Sequence, residues 1–233
     1  RISSANPNMQ NLPRSARGWS DADDLDVVYD AGIWDEEDPR MVAARRAIVP
    51  RAGYELITID YSQMEMLVFL CYVNNRRLLQ LVEESYRTGT PFDFHSLVAS
   101  EVWGPPDHPR FKEFRRLAKA INFGLIFGIG KRKLAKGLRT SVEEAEEYKE
   151  QYFNRIDGSR EFIRRVTEAA LSRGYVTNFF GRRYWLETDR EYVLVNYLIQ
   201  GSCADFMKGR MWQVFKALQG MDARILLQVH DEL

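Results

Sequence analysis

Three things are scarce in this sequence, and each scarcity excludes a class of protein. Of 233 residues only two are cysteine, Cys71 and Cys203. They stand in unrelated contexts and form neither a CxxC nor a Cys/His zinc spacing, so a reduced, intracellular compartment is expected. No apolar run approaches the ~20 residues that span a bilayer, and no signal-peptide pattern opens the chain, so no membrane partner is expected. Net charge is missing as well, with 33 basic residues balancing 33 acidic ones. That balance excludes a simple basic nucleic-acid binder.

What is present points elsewhere. Hydrophobic residues make up 45% of the chain and aromatics 12%, enough to build a sizeable core. The balanced charge is locally sorted. Nine acids and no bases lie between Asp21 and Asp38. Two basic clusters follow, first Arg110, Lys112, Arg115, Arg116 and Lys119, then Lys131, Arg132, Lys133, Lys136 and Arg139. Sorting of this kind suits one surface that meets a polyanion and another held away from it, although solvated helix faces would look similar.

Turn formers and amides fill residues 1–13, which read as an extended loop, and 14–41 reads as an acidic surface insertion. Residues 54–60 and 225–229 read as buried strands, each followed by a carboxylate. Periodicity and glycine punctuation predict helices near 63–72, 76–87, 92–103, 110–127, 131–138, 141–154, 158–173 and 189–219. A hairpin is expected around Gly181, from 175–177 to 184–186. The chain opens at Arg1 without a methionine and closes at Leu233, where Asp231 and Glu232 resemble the tip of a hairpin whose return strand is missing. A fragment of something longer is therefore expected, poorly active by itself.

Three patterns carry chemistry. Asp60 ends the first strand, where metal ligands are common, although Asp60 or Ser62 could instead cap the following helix. Asp231 lies just beyond the second strand, and two such strands side by side would bring two carboxylates to a pair of hard cations, as two-metal phosphoryl transfer requires. The third pattern is the most specific: Arg115, Lys119, Phe123 and Phe127 recur at every fourth residue. On a helix this makes a stripe, cationic at one end for a triphosphate and aromatic at the other for a base and sugar. An aromatic core stripe would account for the phenylalanines but not for the cations.

These segments, read together, resemble the family A DNA polymerases. DYSQMEM (60–66) is similar to that family's motif A, RRLAKAINFGLIFG (115–128) to motif B and QVHDEL (228–233) to motif C. RISSANPNMQNLP, ARRAIVP, FHS, GYVTNFFGRRYWL and NYLIQGSCADFMK lie around them in the family's order. The resemblance implies an α+β fold in which a palm with an antiparallel sheet is joined to a mainly helical fingers subdomain. Residues 1–72 and 188–233 would be palm and 73–187 fingers. It implies two Mg²⁺ ions on Asp60, Asp231 and the Tyr61 carbonyl, with Glu232 close by. Arg115, Lys119, Phe123, His95, Gln63 and Phe127 would meet the incoming dNTP, and Glu65 would exclude a ribose 2′-hydroxyl. Arg1, Asn11, Asn196, Gln200 and His230 would contact primer-template DNA. Arg45 and Arg46 divide evenly between DNA contact and solvated surface.

Three departures stand out against this family. Leu67 replaces an arginine, Phe127 replaces a tyrosine, and residues 14–41 lengthen a connection. The activity implied is that of a DNA-directed DNA polymerase, a monomer in the cytoplasm of a bacterial or phage-infected cell. Two alternatives are a single-subunit RNA polymerase, disfavoured by Glu65 and QVHDEL, and a nucleic-acid-binding fragment inactive as truncated.

Overall fold

The structure, a computed structural model, describes residues 48–126, 128–187 and 193–233. The acidic segment 14–41, together with Arg1, Asn11, Arg45, Arg46 and Phe127, lies outside the described residues. The described chain is mostly helical. In order it runs α1 (Met64–Val73), α2 (Arg76–Thr88), α3 (Phe94–Val102), α4 (Phe111–Ile126), α5 (Lys131–Leu138), α6 (Val142–Arg155), α7 (Ser159–Arg173), β1 (Tyr175–Thr177), β2 (Arg183–Trp185) and α8 (Val193–Ala217). These limits follow the sequence periodicity closely, and three of the helix starts carry a side-chain cap. Asn75 caps α2 by accepting from Leu78 N–H. Asp93 caps α3 through His95 and Ser96 N–H. Ser141 and Glu144 form a reciprocal capping box at α6, which satisfies donors that a helix start otherwise leaves orphaned.

Two compact units result. One consists of residues 63–205, and the described part of the other is 48–62 with 206–233. In the larger unit α3 packs on α4, and α5 on α6. Phe69, Leu70, Phe94, Val98, Ile121, Ile126, Leu138, Tyr152, Leu194 and Ile199 are buried. Burying large apolar side chains of this kind is the main favourable term in its folding. An aromatic chain runs through it: Tyr72 stacks on Phe179 with ring centroids 3.9 Å apart and on Phe162 at 5.4 Å. The hairpin forms as expected, antiparallel, with Val176 opposite Tyr184.

The strands expected at 54–60 and 225–229 are corrected. Both stretches pair only through isolated bridges, Asp60 with Glu232 and Val229 with Glu232. Ile57 is 78% exposed, Ile59 60% and Leu226 62%. A run of β-formers becomes a buried strand only where neighbours supply a ladder and a covering face. Among the described residues this pairing stops after a few hydrogen bonds. Neither Asp60 nor Ser62 caps α1, whose N-cap is Gln63 in the left-handed region (φ 53°) without a side-chain cap. No helix among the described residues is long and apolar enough to cross a membrane.

Candidate active site

In the smaller unit the structure joins two segments that are far apart in sequence. Ile59 N–H donates to Leu233 O and Leu233 N–H to Ile59 O, both at 2.9 Å, and Tyr61 N–H donates to Asp231 O at 3.1 Å. Asp60 therefore lies opposite Glu232. The partner of the Asp60 segment is thus 231–233, the return limb of a tight turn, and not the 225–229 run. Val229 and Glu232 exchange both backbone hydrogen bonds at 2.9 Å, which makes His230 and Asp231 the turn's central pair. His230 takes φ 51°, a conformation that histidine adopts more readily than most residues. The polar tip is consequently His230–Asp231, one residue earlier than expected. Tyr61 packs edge-on against Phe206 at 5.4 Å.

Asp60 is exposed, Asp231 half-buried and Glu232 buried. Among the described residues no group of three or more His, Cys, Asp and Glu side chains is arranged to hold a metal ion. Mg²⁺ does not demand such a cage. It is usually bound by one or two carboxylates, with water and substrate phosphates completing the shell. Two aspartates and a peptide carbonyl on hydrogen-bonded segments are hard oxygen donors of the kind this ion takes, so the residues present fit it.

In the larger unit α4 displays the cationic stripe. Phe114, Leu117, Ala118, Ile121 and Leu125 form its buried face, while Arg115, Lys119 and Phe123 are only half-buried. The stripe is therefore not core. His95, in the first turn of α3, is brought against it. Its ring centroid lies 5.5 Å from that of Phe123. Asn122 Nδ2 stands 3.0 Å from His95 Nδ1; with the amide as donor, the imidazole is neutral and carries its proton on Nε2. Burial lowers the His95 pKa to about 4, and the Lys119 and Arg115 charges push the same way against Asp93.

Asp93 Oδ2 accepts from Arg115 Nε at 2.8 Å. The remaining bases are partly engaged: Arg110 pairs with Glu113, Lys131 with Glu146, and Arg116 donates to Leu138 O. Gln63 places its amide on the backbone ahead of α3, donating to Phe92 O at 3.0 Å and accepting from Phe94 N–H at 2.9 Å. Glu65 lies in the first turn of α1, where the helix dipole favours an acid. Asn196 and Gln200, four residues apart, share the half-buried face of α8. Beside them, a Cβ on Gly201 would clash with the Tyr184 hydroxyl.

Sequence reasoning missed two residues of this cluster, Asp93 and Asn122. Asp93 had a legible signal, a capping residue two places before His95. Asn122 had only its position next to Phe123.

The comparisons agree with one another. The family model of DNA polymerase family A matches residues 1–233. The chain is 38% identical to DNA polymerase I of Mycobacterium bovis, over all of this chain and 24% of that protein. It is 32% identical to the thermostable DNA polymerase I of Thermus thermophilus, over all of this chain and 26% of that protein. Among solved structures, the POL domain of Pol1 from M. smegmatis, in complex with DNA primer-template and dNTP, is similar with a TM-score of 0.77 at 36% identity. That match covers all of this chain and 38% of the other. The chain thus spans about a quarter of the length of these curated relatives.

Proposed function

The chain belongs to DNA polymerase family A, and on that premise we propose that it carries the nucleotide-binding and catalytic segments of a DNA-directed DNA polymerase. Its reaction is the transfer of a nucleotide from a dNTP to a primer 3′-hydroxyl. Residues 1–72 and 188–233 serve as palm and 73–187 as fingers. The observation that best supports this reading is the pairing of Ile59–Tyr61 with Asp231–Leu233. It sets motif A beside motif C, although some 170 positions separate Asp60 from Asp231.

Asp60, Asp231 and the Tyr61 carbonyl would hold two Mg²⁺ ions, with Glu232 supporting them. When bound, such ions acidify the attacking hydroxyl and neutralise charge on the triphosphate and leaving pyrophosphate. The protein contributes positioning and fixed charge. Arg115 and Lys119 neutralise phosphate oxygens, with the arginine fork suited to paired contacts. His95, held neutral, donates a hydrogen bond without adding charge, and Phe123 lies against the base and sugar. Gln63 acts on the nucleotide through the start of α3, whose backbone it braces. Phe127 lines the nucleotide pocket. Glu65 fills the space of a ribose 2′-hydroxyl and rejects it by clash and polar mismatch. Arg1, Asn11, Asn196, Gln200 and His230 contact primer and template, where amides can probe minor-groove acceptors that vary little between correct pairs.

Template-directed primer extension by the complete gene product, with Mg²⁺ and either dNTPs or NTPs, tests this reading. Extension with dNTPs and little with NTPs is expected. Preference for NTPs would make the protein an RNA polymerase.

A further inference from the structure

One acid in the larger unit touches both elements that carry the proposed triphosphate contacts, α3 with His95 and α4 with Arg115, yet belongs to none of the three catalytic motifs. We propose that Asp93 is a positioning residue for the incoming triphosphate: it holds the Arg115 guanidinium by its Nε edge while fixing the start of the helix that carries His95. The inference rests on the polymerase reading above and extends it to a residue that neither binds metal nor touches substrate.

The two carboxylate oxygens divide the work. Oδ1 accepts from His95 N–H at 3.0 Å and from Ser96 N–H at 3.3 Å. Oδ2 accepts from the Ser96 hydroxyl at 2.7 Å and from Arg115 Nε at 2.8 Å. One rigid group thereby ties the first turn of α3 to a side chain on α4, 22 residues further along. Burial pushes the Asp93 carboxyl up, but the hydrogen bonds from Ser96 and Arg115 outweigh it and hold the group below the usual aspartate range. The anchor is thus charged at neutral pH.

Stability alone does not explain the arrangement. The Arg115 side chain is 42% exposed and that of Asp93 32%, and partly exposed ion pairs contribute little to folding. Positioning does explain it. A guanidinium has five N–H donors, and the bond to Asp93 uses Nε. That single bond does not consume the N–H groups of the two terminal amino nitrogens, which form the fork that grips phosphate. An arginine loses considerable rotamer freedom when immobilised. Asp93 restricts that freedom before the nucleotide arrives, which lowers the cost of binding. The same oxygens keep His95, the second contact to the triphosphate, in register with the first.

Two variants separate positioning from capping. Asp93→Asn retains a cap acceptor, but its amide cannot give Arg115 the same charged anchor. Asp93→Ser is a good cap whose shorter side chain falls short of Arg115. Single-nucleotide incorporation by the complete gene product should show both variants with the KM for dNTP raised about three- to tenfold. Their kcat should stay within about twofold and their Tm near that of the parent. In an Arg115→Ala background neither substitution should change KM further. An unchanged KM, an effect that persists without Arg115, or loss of folding in both variants would overturn the inference and leave Asp93 a structural cap. A parent protein that extends no primer would instead overturn the polymerase reading itself.

Discussion

At the scale of the residue, the half-buried stripe of α4 and the acid at the start of α1 carry the selectivity of the proposed site. Glu65→Ala should raise ribonucleotide incorporation by roughly 10²–10⁴-fold, because a site that rejects by steric and polar mismatch discriminates on that order. Phe127→Tyr should tighten selection by restoring a hydroxyl that can hold the glutamate. Competitive incorporation of dNTP against NTP measures both, and an unchanged ratio would make Glu65 only a favourable first-turn acid. Phe123→Tyr should raise dideoxynucleotide use relative to deoxynucleotide use, since its hydroxyl replaces the missing sugar 3′-hydroxyl. His95 makes a prediction about stability. Its folded pKa of about 4 lies below the ordinary value of 6.5. Between those values the unfolded chain takes up a proton that the folded chain refuses, so stability is lost as pH falls through that window. Asp93, Lys119 and Arg115 face the ring and set the balance. Thermal melts from pH 7 to 4 should fall less steeply for His95→Phe than for the parent. Equal slopes would contradict the buried, neutral assignment.

Elements differ in how much of themselves the sequence displayed. Helices were legible because their signals are local: Ser141 with Glu144 opens α6, and Gly174, at φ 74°, ends α7. Strands were not, because a strand is defined by a partner elsewhere in the chain. Ile57 and Ile59 carry the right composition yet stand exposed. The candidate site divides along the same line. Arg115, Lys119 and Phe123 were readable from a four-residue period. The bond from Asp93 to Arg115 and the amide of Asn122 against His95 depend on how α3 meets α4, which no local pattern encodes. The join between β2 and α8 is another such tertiary feature. Tyr184 stands where a Cβ of Gly201 would project, and its hydroxyl lies 3.5 Å from Asn178 Nδ2. Gly201→Ala should therefore cost about 1–3 kcal/mol by overpacking, and less when Tyr184 is already alanine. Chemical denaturation of the four proteins in that cycle measures the coupling. Strict additivity would show that the two residues do not press on each other.

For the whole molecule, the central claim of the proposed function is that two segments distant in sequence, those of Asp60 and Asp231, meet to form the catalytic part of a nucleotidyl transferase. Motif A and motif C meet through backbone hydrogen bonds in one unit, and the cationic stripe with His95 is assembled in the other. Family membership and the DNA-bound relative make primer-template DNA and dNTPs the substrates to test. The most direct measurement compares primer extension by the complete gene product with that of its Asp231→Ala variant in Mg²⁺, with the Kd for primer-template determined in parallel. The account predicts a loss of extension of about 10³-fold or more, the scale expected when a group stabilising transition-state charge is removed, while Kd changes by no more than about threefold. A variant that still extends primers at close to the parental rate would contradict it, as would one whose inactivity follows from failure to bind DNA.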